Sequence, residues 1–285
     1  MAVVSELHGE VFELAGALSY QGYRLAYTEY GHGDPAAPAV VLLHGLMFTR
    51  RMHRPLARTL AANGYRVVAL DLLGHGESDR PAESWEYSMP QFAEQVVALL
   101  DHLEIGSAVV SGTSLGANVA LELAIAAPQR LRGAVAEMPV LDNAIVAGLL
   151  TFAPLLFVAR FLPASVRGVA SAAGLVPAGN QWVDVVTDTL RQGPAPLAAL
   201  LHGVLFGRVA PTKALRRRIE VPTMVIGHQG DPIHPFGDAD TLADDLVCAE
   251  FVQARSPVEL RLSPDRLTGA ISDFVTRCYY DSVSG

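Results

Sequence analysis

A serine with a glycine two residues to either side, in Gly112-Thr113-Ser114-Leu115-Gly116, is the part of this chain best suited to do chemistry. A short apolar run over residues 107–111 precedes it. A helical run over residues 115–127 follows and stops at Pro128. Strand, Gly-x-Ser-x-Gly and helix in succession is the setting of a nucleophile elbow. The reason is steric: a serine at the tip of so sharp a turn sits on a strained backbone, and its flanking residues must be small for strand and helix to approach. The helix N-terminus then lends partial positive charge to an oxyanion formed beside the serine. The bland alternative is an ordinary strand-to-helix turn that happens to contain a serine.

Other polar side chains collect at comparable places. His44 follows an apolar run at residues 39–43, and Asp71 and His75 follow another at residues 66–70. His228, Asp231 and His234 lie in a loop rich in turn residues after a run at 221–226. His202 falls in an apolar helical stretch, where a packed, inert histidine is the ordinary reading.

The elements that must position these residues are legible from their periods. Residues 11–18 and 22–30 read as an extended pair with Gly22 at the turn. The runs at 39–43 and 66–70 are short and apolar, as expected of strands buried on both faces, and further short strand runs follow at 107–111, 133–138, 221–226 and 248–252. Helices are predicted over 55–63, 90–103, 115–127, 238–246 and 264–279. Strands alternating with helices argue for a mostly parallel central sheet flanked by helices. Ligands in such sheets bind at the carboxyl ends of the strands, where His44, Asp71 and Ser114 belong. The rhythm breaks between residues 139 and 218, which hold helical runs and no convincing strand. This predicts a core of 1–138 and 219–285 with a helical cap, or lid, inserted at 139–218. Residues 144–162 are strongly apolar with Arg160 the sole charge, just long enough to span a bilayer, but Pro154 is expected to interrupt the run.

With 285 residues, half of them hydrophobic, the chain can bury a sizeable core. Its net charge of −8 speaks against a nucleic-acid partner. Cys248 and Cys278 are isolated and lack metal-ligand spacing, which fits a reducing compartment. The first residues show no basic segment followed by an apolar one, so no signal peptide is read and a cytoplasmic location is expected. No cofactor or metal is implied: there is no His-Glu-x-x-His, and Gly31-His32-Gly33 runs into a turn rather than a helix.

Taken together, four motifs in order resemble the α/β-hydrolase superfamily over about residues 20 to 280. They are His44-Gly45; Asp71-x-x-Gly74-His75-Gly76-x-Ser78; the elbow at Ser114; and Gly227-x-x-x-Asp231-Pro232-Ile233-x-Pro235. The resemblance implies an α/β-hydrolase fold with a helical cap. It also implies that Ser114 is the nucleophile, that the amides of Leu46 and Leu115 form the oxyanion hole, and that Asp231 is the acid that orients a histidine. From the residues alone, the alternative for Asp231 is a helix-capping or turn aspartate before Pro232. Asp71, His44 and His75 belong to motifs that shape loops.

One part of the pattern is missing. The family's histidine lies after the last strand, shortly before a Pro-Glu or Pro-Asp that opens the final helix. Here Pro264-Asp265 opens that helix, Pro257 holds the corresponding position, and residues 253–263 contain no histidine. A serine hydroxyl is a poor nucleophile unless a base within hydrogen-bond reach takes its proton. Three readings follow. In the first, the protein is a hydrolase of an ester or other acyl substrate with an apolar moiety, and another histidine serves as base. His234 leads, although one ring must then reach both Asp231 and Ser114; His202 and His228 are weaker candidates. In the second, the fold performs lyase or other cofactor-free chemistry without acylating the serine. In the third, it is an inactive binding module. Arg255, Glu259 and Arg261 read as a solvated or salt-bridged loop. The expected partner is a small apolar or amphipathic substrate, with contact between the cap and a membrane surface as a minor alternative. The oligomeric state is not legible.

Overall fold

The apolar runs become the centre of an eight-stranded sheet in a computed structural model that describes residues 11–177, 179 and 181–280. In chain order the elements are β1 (Phe12–Tyr20), β2 (Tyr23–Gly31), β3 (Ala39–Leu43), α1 (Arg54–Ala62), β4 (Arg66–Leu70), α2 (Met89–His102), β5 (Ala108–Thr113), α3 (Leu115–Ala126) and β6 (Leu131–Glu137). Then come α4 (Ala144–Phe161), α5 (Pro163–Gly174), α6 (Gln181–Leu190), α7 (Pro194–Phe206) and α8 (Lys213–Arg216). The chain closes with β7 (Thr223–His228), α9 (Phe236–Asp245), β8 (Ala249–Ala254), α10 (Glu259–Leu262) and α11 (Asp265–Tyr280).

The strand order is β1-β2-β4-β3-β5-β6-β7-β8. The β1–β2 and β2–β4 pairings are antiparallel, and every pairing from β4 to β8 is parallel. Successive side chains of a strand point to opposite faces, and both faces are covered here. Val110 packs with Phe92, Leu99 and Leu121 of α2 and α3 on one side. Val109 packs with Leu60, Ile271 and Val275 of α1 and α11 on the other. Each such buried side chain contributes roughly 1.5–3 kcal/mol relative to exposure. The consequence for function is rigidity: the carboxyl ends of β3, β5, β6 and β7 form one fixed edge.

The segment between β6 and β7 is helical, with no strand among its described residues. Two buried polar side chains tie it to the edge. Asp238, at the start of α9, accepts the N–H groups of Leu141 (2.8 Å), Asn143 (3.2 Å) and Ala144 (3.0 Å), which fixes the entry to α4. Asn118 of α3 donates to the carbonyls of Val140 and Val209, both at 2.7 Å, and so pins the two ends of the segment together.

Two expectations need correction. Pro154 does not interrupt the apolar run: α4 continues through it. Proline removes one backbone donor and crowds the preceding turn. Packing of α4 along α7 carries the helix past that point. Residues 253–263 are not loop throughout, because α10 forms within them. Glu259 at its start accepts the N–H of Arg255 and pairs with the Arg266 guanidinium at 2.8 and 2.9 Å. By length and composition α4 could cross a membrane. Its inner face instead lines a cavity described below, while Leu150, Phe157 and Phe161 remain exposed on its outer face.

Candidate active site

Ser114 stands between β5 and α3 at φ 53° and ψ −109°, a conformation that L-residues rarely adopt. Its surroundings impose it. A Cβ on Gly112 would lie 2.1 Å from the backbone of Gly116, and one on Gly116 would lie 2.4 Å from the Leu43 carbonyl oxygen. Both flanking glycines are therefore required by the close approach of helix and strands. The Ser114 N–H donates to the Glu137 carbonyl at 2.8 Å, anchoring the turn to β6.

The loop after β7 folds back on itself. One oxygen of Asp231, Oδ1, accepts the N–H groups of Ile233 (2.8 Å) and His234 (3.0 Å). This tight turn lifts the His234 ring over the carboxylate. Its Nδ1 then lies 2.9 Å from Asp231 Oδ2, and its Nε2 lies 2.9 Å from Ser114 Oγ. One ring does reach both groups despite being three residues from the acid. Burial pushes the Asp231 carboxyl up, but hydrogen bonds from the His234 ring and from the His234 and Ile233 amides outweigh it and bring its pKa down to about 2. An ionised carboxylate only accepts, so Nδ1 carries the proton and Nε2 is left to accept from the serine hydroxyl. Such a chain can draw the proton from Ser114 Oγ and hold the resulting imidazolium against a fixed negative charge.

Leu46 and Leu115 border the same cavity as Ser114. At the first position of α3, the Leu115 N–H has no partner within its helix. The cavity encloses about 450 Å³ and is walled mainly by apolar side chains, among them Met52, Leu149, Phe152 and Val204. Ile145, Leu149 and Phe152 come from α4, so the segment after β6 supplies one wall of the space over the serine.

The other sequence candidates lie elsewhere. His44 donates from Nδ1 to the Gly45 carbonyl (2.9 Å) and accepts the Leu72 N–H at Nε2 (3.1 Å). Burial pushes its pKa down despite the nearby Asp71. His75 donates to the Leu73 carbonyl at 3.1 Å, and burial together with His44 pushes its pKa well down. Both are neutral props for loops. Asp71 is buried; it pairs with the Arg50 guanidinium and accepts the N–H groups of Arg50 (2.6 Å) and Glu77 (2.9 Å). His202 is exposed and lies against Phe206, with ring centroids 5.0 Å apart and planes tilted by 42°. Among the described residues, no three His, Cys, Asp or Glu side chains gather to hold a metal ion.

His228 does not reach Ser114. Its Nδ1 faces the Ser256 carbonyl at 2.8 Å and its Nε2 faces Glu137 Oε1 at 3.4 Å. Glu137, at the end of β6, also accepts from Thr113 Oγ1 (2.5 Å) and from Arg261 Nη2 (2.7 Å). Sequence reasoning missed this cluster. A carboxylate closing an apolar strand was the one signal available, and its partners are 24, 91 and 124 residues away in sequence. Arg261 proves to be the salt-bridged side chain of the two possibilities, not the solvated one.

Comparison with known proteins follows the same lines. Residues 38–253 match the family model described as alpha/beta hydrolase fold. An epoxide hydrolase of Caballeronia sordidicola is 34% identical over 130 residues, covering 46% of this chain and 38% of that protein. A putative protein-lysine deacylase of Rattus norvegicus, ABHD14B, is 35% identical over 137 residues, covering 46% of this chain and 64% of its own. The matched region thus spans less than two thirds of either relative. Among solved structures, the enol-lactonase of Burkholderia xenovorans LB400 superposes with a TM-score of 0.74 at 22% identity, covering 92% of this chain and all of that one. The eight-stranded sheet, the serine at its sharp turn and the match over residues 38–253 lead to one conclusion: the chain belongs to the alpha/beta hydrolase fold family.

Proposed function

We propose that the protein is a serine hydrolase that cleaves an ester or other acyl substrate with an apolar moiety, using Ser114 as nucleophile, His234 as base and Asp231 as orienting acid. The observation that carries this reading is the pair of 2.9 Å contacts joining Asp231, His234 and Ser114 through one imidazole. His234 Nε2 takes the hydroxyl proton as Oγ bonds to the acyl carbon. The carbonyl oxygen becomes an oxyanion facing the amides of Leu46 and Leu115. Collapse breaks the bond to the leaving group, which departs with the proton from Nε2. Water, deprotonated by the same nitrogen, then releases the acid and restores the serine. The helical segment at 139–218 acts as a cap whose apolar wall selects the acyl moiety and excludes water. The hydrolase names of the relatives support the reaction class.

The test is covalent labelling by a fluorophosphonate, read by intact mass and peptide mapping. One label per chain is expected, on the Ser114 peptide, and none on Ser114→Ala. Folded wild-type protein that stays unlabelled by this probe and by a smaller sulfonyl fluoride would exclude an activated serine.

A further inference from the structure

The loop after β8, where the family's histidine would stand, brings Arg261 to the cavity instead. Arg261 lines the same space as Ser114 and His234 and is the one side chain with a permanent charge among the described lining residues. Its side chain is 14% exposed, so the guanidinium is largely withdrawn from bulk water. The pairing that compensates it is one-sided. Nη2 donates to Glu137 Oε2 (2.7 Å) and to Thr113 Oγ1 (2.9 Å), while Nε and Nη1 have no hydrogen-bond partner among the described residues.

Glu137 does not neutralise Arg261 alone. His228 stands against the same carboxylate, its Nε2 3.4 Å from Glu137 Oε1 and its Nδ1 2.8 Å from the Ser256 carbonyl. One carboxylate thus serves two basic side chains. Among the described lining residues, Arg261 therefore remains the one permanently charged side chain at a cavity whose walls are mainly apolar. Glu137 holds the guanidinium from one side and leaves Nη1 unengaged.

We propose that Arg261 is a binding site for an anionic group of the substrate, a carboxylate carried on its acyl part. This rests on the reading that the cavity over Ser114 is the substrate site. A carboxylate of the substrate can accept from Nη1, a charge-assisted hydrogen bond beside the one that Nη2 makes to Glu137. The substrate class becomes half-esters and related acyl compounds with an apolar chain between the scissile carbonyl and a terminal carboxylate.

The test is equilibrium binding by calorimetry to Ser114→Ala protein, which cannot acylate. The probes are monomethyl adipate, which carries a carboxylate, and dimethyl adipate, which does not. The half-ester is expected to bind about 10- to 100-fold more tightly, the span of a hydrogen bond to a charged group. Adding Arg261→Met should abolish the preference, and adding Arg261→Lys should retain part of it. Because Arg261→Met strands Glu137, the same measurement is made with Glu137→Gln and Arg261→Met combined, each variant being shown to be folded by its thermal transition. Equal affinity for the two probes, no binding of the half-ester, or a preference that survives Arg261→Met would each overturn the assignment. The outcome is separable from that of the labelling experiment. Labelled Ser114 without an acid preference removes the anion site and keeps the hydrolase. An acid preference without labelling does the reverse.

Discussion

Two loops reach the carboxyl edge of the sheet from neighbouring strands, and they divide the work unexpectedly. The loop after β7 holds both Asp231 and His234, folded so tightly that the acid orients a ring three residues away. The loop after β8 holds no histidine; through α10 it offers Arg261 to Glu137. The difference shows that a base is defined by where its nitrogen arrives, not by the loop that carries it. A turn closed by two backbone N–H bonds to Asp231 Oδ1 puts Nε2 within 2.9 Å of Ser114 Oγ. The second loop is thereby released from that duty, and its polar side chains are free to shape charge in the cavity.

The sharpest way to break this comparison is to remove the ring from the first loop. His234→Ala should lower the rate of Ser114 labelling and of p-nitrophenyl ester hydrolysis by about 10²- to 10⁴-fold, the usual contribution of a positioned general base. His228→Ala should fall far short of that loss. If His228→Ala costs as much as His234→Ala, the base is not where the loop after β7 places it.

The next largest effect belongs to the second loop and is one of stability. Glu137→Leu leaves Arg261 and His228 facing each other with no carboxylate between them. Breaking a buried ion pair from one side is expected to cost ~3–5 kcal/mol, read as a lower urea midpoint at unchanged slope. Glu137→Gln keeps an acceptor for Thr113 and Arg261 and should cost less. A leucine variant as stable as wild type would mean that the cluster is more solvated than its side-chain exposures of 4% for Glu137 and 14% for Arg261 indicate.

The two loops also differ in how far the sequence reveals them. Asp231 and His234 stand close together in a turn-rich stretch after a strand, so once the resemblance marks Asp231 as the acid, local spacing nominates His234. The buried strands were equally legible, since runs such as Ala39–Leu43 are apolar at every position. Glu137 and Arg261 meet across 124 residues, and no local period encodes such a pairing. The same holds for Asp238, whose grip on the start of α4 crosses more than ninety residues. The helices between β6 and β7 were legible as helices but not by face. Residues 144–161 are apolar almost throughout, so composition cannot say that Ile145, Leu149 and Phe152 turn toward Ser114 while Leu150, Phe157 and Phe161 turn away. Pro154 misled because packing on α7 outweighs its local penalty.

The smallest effect sharpens the comparison by pH. Burial alone would push the His228 pKa down, but its contact with Glu137 and the Ser256 carbonyl outweighs burial and raises it above the ordinary value of 6.5. A histidine raised in the folded state contributes stability that is fully present below its unfolded pKa and is lost as pH climbs through the folded one. His228→Gln should therefore be less stable than wild type by about 1.5–3 kcal/mol near pH 6, the worth of a hydrogen bond to a charged group, and the gap should narrow toward alkaline pH. His44, His53 and His75 carry lowered pKa values and slope the opposite way. They are common to both proteins and cancel in the difference. Thermal transitions of the pair across this range measure it directly. A gap that stays constant with pH would mean that His228 is neutral in the folded protein, and that Glu137 balances Arg261 alone.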